Sequence, residues 1–279
     1  MTPIAENDVA EHDEAPGITE DFDGRIDRTA RARFASQFIL PSGCNQQSLH
    51  STLDSIIADN HIGVIMVRVR VHSQFVSLDG YSAGDYVTFD EPIGGAQALF
   101  GWFDGQGIEG IGGVDGPVTL DRALFAMWGQ GIGAEIMGRK KFGPQEGPWP
   151  DDGWRGWWGE EPPFKTPCFV LTHHPRESME FPNGTSFHFV DATAEAVLSQ
   201  AVDAANGLDV RIGGGPSTIR QFLAADLIDF MHVAIVPITL GTGVSLWEGI
   251  SGIEDRFTIE TIGSSSGLTH QLWNRKDRG

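Results

Sequence analysis

The chain has 279 residues, a mass of 30.3 kDa, 40% hydrophobic residues and a formal net charge of −19. That length suits one large domain, or a medium one with an appendage. A polyanion is held by clustered Lys and Arg, so the charge speaks against nucleic acid and anionic membrane surfaces as partners. Cys44 and Cys168 lie far apart in no metal-ligand spacing, there is no long apolar run and no signal peptide, and a soluble cytoplasmic protein without a metal is expected.

Residues 1–65 carry eleven Asp and Glu against four Lys and Arg and no Trp. They read as a disordered acidic extension. Met66 then opens VRVRVHSQFVSLDG, whose alternation from Val67 to Val71 is that of a first core strand. The remainder, 66–279, is expected to be the folded domain, and a second hypothesis makes Met66 the native start. Further strand signals fall at 134–137, 168–172, 186–190, 208–212 and 231–237, with a closing hairpin at about 256–262 and 268–273. Between them, Thr119 or Asp121 can cap a helix running to about Gln130, and Thr193 can cap another that Gly207 stops. Ile219, Phe222 and Leu223 make the apolar face of a third. The alternation predicts an α/β fold, a mostly parallel central sheet with an antiparallel C-terminal edge hairpin.

Two long loops interrupt the pattern: a Gly-rich one at 101–116, and one at 143–164 that holds Trp149, Trp154, Trp157 and Trp158. Loops of this length are lids, binding loops or connectors, and half-buried tryptophans suit a ligand or a subunit partner. Several motif matches fail on context. Gly105–Gly110 fits G-x-G-x-x-G without a strand before it, and Gly263–Gly267 fits G-x-S-x-G but sits between the two terminal strands, where a hairpin turn explains it. His173 and His174 are adjacent on a strand, so they face opposite ways and do not make a metal site.

The most informative stretch is VRIGGGPSTIRQFLAADLIDF, from Val210 to Phe230. A β-branched run enters three glycines, and Pro216 suits the first helical position. The product is a strand, a tight turn and a bare helix N-terminus, a natural site for a phosphate. Strand Glu135–Met137 likewise runs into Gly138, Arg139, Lys140 and Lys141, a glycine and three cations at a strand-to-helix turn, and Leu171-Thr172-His173-His174 ends a third strand. Ligands of open α/β sheets bind outside the carboxyl ends of the strands.

MGRKKFG, FVLTHH, VRIGGGPSTIRQFL, LIDFMHVAIVPITLGTGVSLW and the early FVSLDGY, in this order and spacing, resemble the dihydrofolate reductase-like superfamily. Within it the chain is most similar to the riboflavin-biosynthesis reductase domain, the C-terminal half of bacterial bifunctional deaminase-reductases, in stand-alone form. The similarity covers about Met66 to Trp273. It implies a three-layer fold, a homodimer, and an NADPH-dependent reductase resembling 5-amino-6-(5-phosphoribosylamino)uracil reductase, acting on a small heterocyclic or carbonyl substrate. By family pattern Gly138, Arg139 and Lys140 would meet the adenine-side phosphates, Thr172 and His173 the 2′-phosphate region, and Gly213, Gly214, Gly215, Ser217 and Thr218 the pyrophosphate. Asp121, near the place of the acidic residue of true dihydrofolate reductases, and Asp79 in SLDG are the candidates for steering or supplying a proton, provided burial raises the carboxyl pKa toward neutrality. A helix cap and a turn aspartate are their structural alternatives. No zinc deaminase half is present. Dihydrofolate reduction, or nucleotide or flavin binding without catalysis, are the competing expectations.

Overall fold

In the computed structural model, which describes residues 67–101, 119–150 and 153–276, the alternating run after Val67 forms the central strand β1 (Val69–Ser77). The acidic extension and nearly all of the Gly-rich loop lie outside the described residues, which belong to one unit, Ile62–Gly279. Eight more strands join β1 or its neighbours: β3 (Ile132–Gly138), β4 (Pro167–Leu171), β5 (Met179–Glu180), β6 (Ser186–Val190), β7 (Asp209–Gly214), β8 (Phe230–Val236), β10 (Phe257–Gly263) and β11 (Thr269–Arg275). Their order in the sheet is β10-β11-β8-β1-β7-β3-β4-β6-β5. The six strands from β8 to β6 are parallel, and the β10–β11 hairpin closes one edge antiparallel, as the sequence predicts. β2 (Tyr81–Ala83) and β9 (Val244–Ser245) form a separate two-stranded ladder. Three elements were too short to give a period: β2, β9 and the edge strand β5, which pairs antiparallel with β6.

Parallel strands are covered on both faces and so read as continuous apolar runs. β3 is the clearest case, buried at every position from Ile132 to Met137. Helix α1 (Leu120–Ala126) precedes β3, while α2 (Arg139–Phe142), α3 (Ala194–Ala204) and α4 (Pro216–Ala224) follow β3, β6 and β7 closely. Thr119, rather than Asp121, caps α1, accepting from Arg122 N at 3.3 Å. Thr193 does the same for α3 through Ala196 N, and Gly207, at φ +83°, takes the left-handed conformation after its end. The α3 and α4 faces bury Val197, Ala201, Ile219, Phe222 and Leu223 against the sheet. α1 is shorter than expected, because the chain leaves it through a turn at Met127 and Trp128. No helix among the described residues is long and apolar enough to cross a membrane.

The Trp-rich loop is mainly a wall of this fold. Phe142, Phe164, Phe187 and Phe189 leave an aromatic surface, and Trp149, Trp154 and Trp158 pack onto it. Trp158 stacks on Phe187 at 12°, Trp154 donates to Phe142 O at 3.2 Å, and Trp149 donates to His174 O at 2.5 Å. Trp157 stands edge-on to Trp154 and, with Trp158, lines a cleft.

Candidate active site

Register brings three of the expected segments abreast. Gly214 pairs with Met137, Gly138 with Leu171, and Leu171 with Val190, so the carboxyl ends of β7, β3, β4 and β6 form one row. Along it runs a cleft of about 2120 Å³. That exceeds the roughly 300–1,000 Å³ of a drug-sized ligand site and leaves room for a dinucleotide beside a second molecule. Gly138, Arg139, Lys140, Thr172, His173, Gly213, Gly215, Ser217 and Thr218 all line this cleft, with Gly214 buried behind them.

The glycines fit closely. A Cβ on Gly213 would collide with Glu135 Oε1 and Lys141 Nζ, and one on Gly138 would collide with Thr218 Oγ1. Gly214 is at φ +100° and joined to Gly215 by a cis peptide bond. Gly215 has nothing within 4 Å of its missing Cβ, so its surface is open to a ligand. Pro216 opens α4 without an N–H, and the N–H groups of Thr218 and Ile219 both turn back to Gly215 O. What the first turn offers a ligand is therefore Ser217, N–H and exposed hydroxyl together.

The three cations part company. Arg139 lies over the Trp149 ring at 3.8 Å and donates Nη1 to Thr172 Oγ1 at 3.3 Å, while its Nε and Nη2, covered from solvent, have no hydrogen-bond acceptor. Charged donors left this way suit an incoming anion. Lys140 is exposed and paired with Glu146 at 3.3 Å. Lys141 turns inward, which corrects the expectation of a third phosphate-facing cation: Nζ donates to Glu135 Oε1 at 2.9 Å and to Gly213 O at 2.6 Å. Burial pulls its ammonium down to about 8. Arg211 binds the other Glu135 oxygen, donates to Trp128 O at 2.7 Å and lies over the Trp128 ring at 3.3 Å. The trio, Glu135 and Arg211 buried and Lys141 half-buried at the cleft wall, stands directly beneath the glycine turn. α2 is a single turn of four residues, so the basic side chains, rather than a helix end, are what this corner presents. His173, with a side chain 92% exposed, sits 3.0 Å from Asp191 Oδ1.

The two aspartates also separate. Asp79 lies outside the cleft lining, exposed, accepting from Leu240 N at 3.1 Å, Gly241 N at 2.7 Å and Ser77 Oγ at 2.5 Å. The Ser77 hydroxyl and these amides hold its carboxyl below the usual range, and its work is to brace the 240s loop. Asp121 is buried at the start of α1 and lines the cleft. His270 Nε2 is 2.7 Å from Asp121 Oδ1, and His270 Nδ1 is 2.9 Å from His232 Nε2. Burial would raise the Asp121 carboxyl, but hydrogen bonds from His270, Ser264 and Ser266 outweigh it and leave the pKa lowered. The proviso for a carboxylic acid donor is thus not met: both aspartates are anions at neutral pH.

Sequence reasoning missed His232, His270, Ser264 and Ser266. Their pairing depends on β8–β11 register, with Leu272 opposite His232 and His270 opposite Ala234, which no local pattern reveals. It also missed Gln74, delivered to the cleft by a register shift between Val71 and Gln74 where Ser73 takes φ +57°.

No curated protein matches the chain. Solved structures that the chain matches include a protein assigned to riboflavin biosynthesis from Shewanella sp. PV-4, 24% identical, covering 76% of this chain and 100% of that one at a TM-score of 0.44. A pyrimidine reductase-like protein from Corynebacterium diphtheriae is 14% identical over 76% of this chain and 92% of its own, at 0.42. The diaminohydroxyphosphoribosylaminopyrimidine deaminase/5-amino-6-(5-phosphoribosylamino)uracil reductase of Thermotoga maritima is 12% identical over 80% of this chain and 59% of its own, at 0.45. A family model described as the RibD C-terminal domain matches residues 70–263, well over half of the sequence. The chain belongs to the RibD C-terminal domain family, the riboflavin-type reductase branch that its motifs resemble.

Proposed function

We propose that the protein is an NADPH-dependent reductase resembling 5-amino-6-(5-phosphoribosylamino)uracil reductase, transferring hydride to a small heterocyclic or carbonyl substrate. The observation that carries this reading is the glycine turn, the acceptor-less donors of Arg139 and the Asp121 carboxylate along one cleft. Bound there, NADPH would supply the hydride. Gly213, Gly214, Gly215, Ser217 and Thr218 would hold its pyrophosphate, Gly138, Arg139 and Lys140 the adenine-side phosphates, and Thr172 and His173 the 2′-phosphate region. The protein's share is then to hold the nicotinamide against an electrophilic carbon and keep competing water out. Asp121, held as an anion at the cleft wall, favours the protonated, iminium-like form of a ring-opened ribosylamino group, which is the better hydride acceptor. A homodimer belongs to the same reading: Leu78, 63% exposed beside Ile238, is apolar surface it would cover, and sedimentation measures it.

Titration of the full chain with NADPH and NADH, followed by nicotinamide fluorescence, tests the reading. NADPH should bind selectively. Arg139→Ala should weaken NADPH by about 10- to 100-fold, the worth of a charge-assisted hydrogen bond, and NADH much less. Equal losses would show that Arg139 does not read the 2′-phosphate, and no binding of either cofactor would remove the basis of the proposal.

A further inference from the structure

His232 lies in the apolar body of the sheet, fully enclosed, with its Nδ1 lacking any hydrogen-bond partner. Burial first, then the neighbouring His270, drives its pKa down to about 3, against a smaller raising effect of Asp121, so the ring is neutral and carries one proton. Where that proton sits is decided by cost. On Nδ1 it would be a buried donor without an acceptor, among the rarest of native arrangements. On Nε2 it donates across 2.9 Å to His270 Nδ1. His270 Nδ1 is then bare, so the His270 proton lies on Nε2 and donates across 2.7 Å to Asp121 Oδ1. The two hydrogen bonds therefore run in one direction, out of the core toward the cleft, and they end on an acceptor.

We propose that His232 and His270 are positioning residues, a one-way row of hydrogen bonds that holds the Asp121 carboxylate aimed into the cleft, where it faces the protonated ribosylamino nitrogen of the substrate. This rests on the reductase reading for the identity of the ligand, while the polarity of the row stands apart from it. The groups around the row are consistent. The Ser264 and Ser266 hydroxyls of the β10–β11 turn, Ser266 Oγ donating to Ser264 Oγ at 3.2 Å, also hold the Asp121 carboxyl down, and the Phe125 ring of α1 packs against both imidazoles. His72 of β1 stands behind His232, ring centroids 6.5 Å apart, its nitrogens also without partners. Burial and the nearby Arg70, His232, Arg211 and Arg68 hold His72 neutral, so it puts no imidazolium charge behind the row. Asp121 is the carboxylate on which these groups converge.

Nitrogen-15 NMR of the imidazoles in the wild-type protein reads the polarity directly: His232 and His270 should both be Nε2–H tautomers with bare Nδ1 atoms. A proton on His232 Nδ1 overturns the proposal. Kinetics read the consequence, with 5-amino-6-(5-phosphoribosylamino)uracil and NADPH as the probe pair. His270→Leu should raise KM by about 10-fold or more at neutral pH, the value of a charged hydrogen bond, and shift the acid limb of kcat/KM upward, because burial raises a carboxyl that has lost its foremost donor. His270→Gln, which restores an N–H donor, should bring the limb back toward wild type. An unmoved limb in His270→Leu, or no rescue by His270→Gln, sinks the idea. A wild-type enzyme that oxidises no NADPH with this probe refutes the reductase reading instead, and the NMR result still decides the row.

Discussion

A carboxyl group taken out of water tends to keep its proton, and Asp121 departs from that tendency because His270 meets it with a hydrogen bond and the Ser264 and Ser266 hydroxyls add to the effect. Asp79 has donors too, but they come from its own turn and the 240s loop, so the same chemistry there secures a backbone. Nothing in the residue types VTLDR and SLDGY separates these cases. The separation lies in which strands arrive beside each aspartate, a matter of long-range register. Near the other end of the cleft, the Asp191 carboxylate engages His173 and brings negative charge where the 2′-phosphate region is proposed. Asp191→Asn should therefore tighten NADPH about 2- to 5-fold, the scale of one exposed ion pair, and leave NADH unchanged. Parallel titrations of the variant and the wild type check this, and an equal change for both cofactors would place the phosphate elsewhere.

At the scale of elements, the glycine turn and the trio beneath it act as one unit. Gly213 O accepts from Lys141 Nζ, and the missing Gly213 side chain is the space that Glu135 and Lys141 fill. Gly213→Ala should cost about 1–3 kcal/mol, the usual penalty of forcing an extra carbon into a packed interior, and should lower the thermal midpoint together with cofactor affinity. An unchanged midpoint would mean that Glu135 and Lys141 give way freely. The turn itself was legible in sequence, since three glycines followed by proline leave few other conformations. What lay under it was not: Glu135, Lys141 and Arg211 come from β3, α2 and β7, and they meet through the register that sets Glu135 opposite Arg211 and through the Lys141–Glu135 ion pair. The tryptophans show the converse. Their clustering was visible, but a local pattern cannot tell that the phenylalanines of α2 and β6 stand in wait for them.

For the molecule as a whole, the alternation of apolar strands with capped helices was enough to foresee a mostly parallel sheet closed by a hairpin, because burial on both faces leaves so regular a trace. The hairpin is tied to the rest by Asp226, after α4, which binds Arg256 at 2.5 Å and also Arg275. Hydrogen bonds from Arg275 first, and then from Arg256, lower its carboxyl from 3.8 to about 2 despite some desolvation. A carboxyl depressed by folding contributes stability that is fully present above its unfolded pKa and fades as pH falls through the folded one. Between about pH 4 and 2 the wild type should thus lose this contribution. Asp226→Asn, which suits the left-handed φ of +61° at this position, should be less stable near neutrality but flatter across that window. Urea midpoints at several pH values measure both, and parallel curves would show that Asp226 contributes nothing through its charge.

The family match ends at residue 263, before His270, while the glycine turn and Arg139 lie well inside it. Asp121 lies inside it too, so of the groups proposed for the site only the positioning residue His270 falls outside the matched stretch. Under the proposed reading, exchanging residues of β11 and the turn before it retunes Asp121 while leaving the glycine turn and Arg139 untouched.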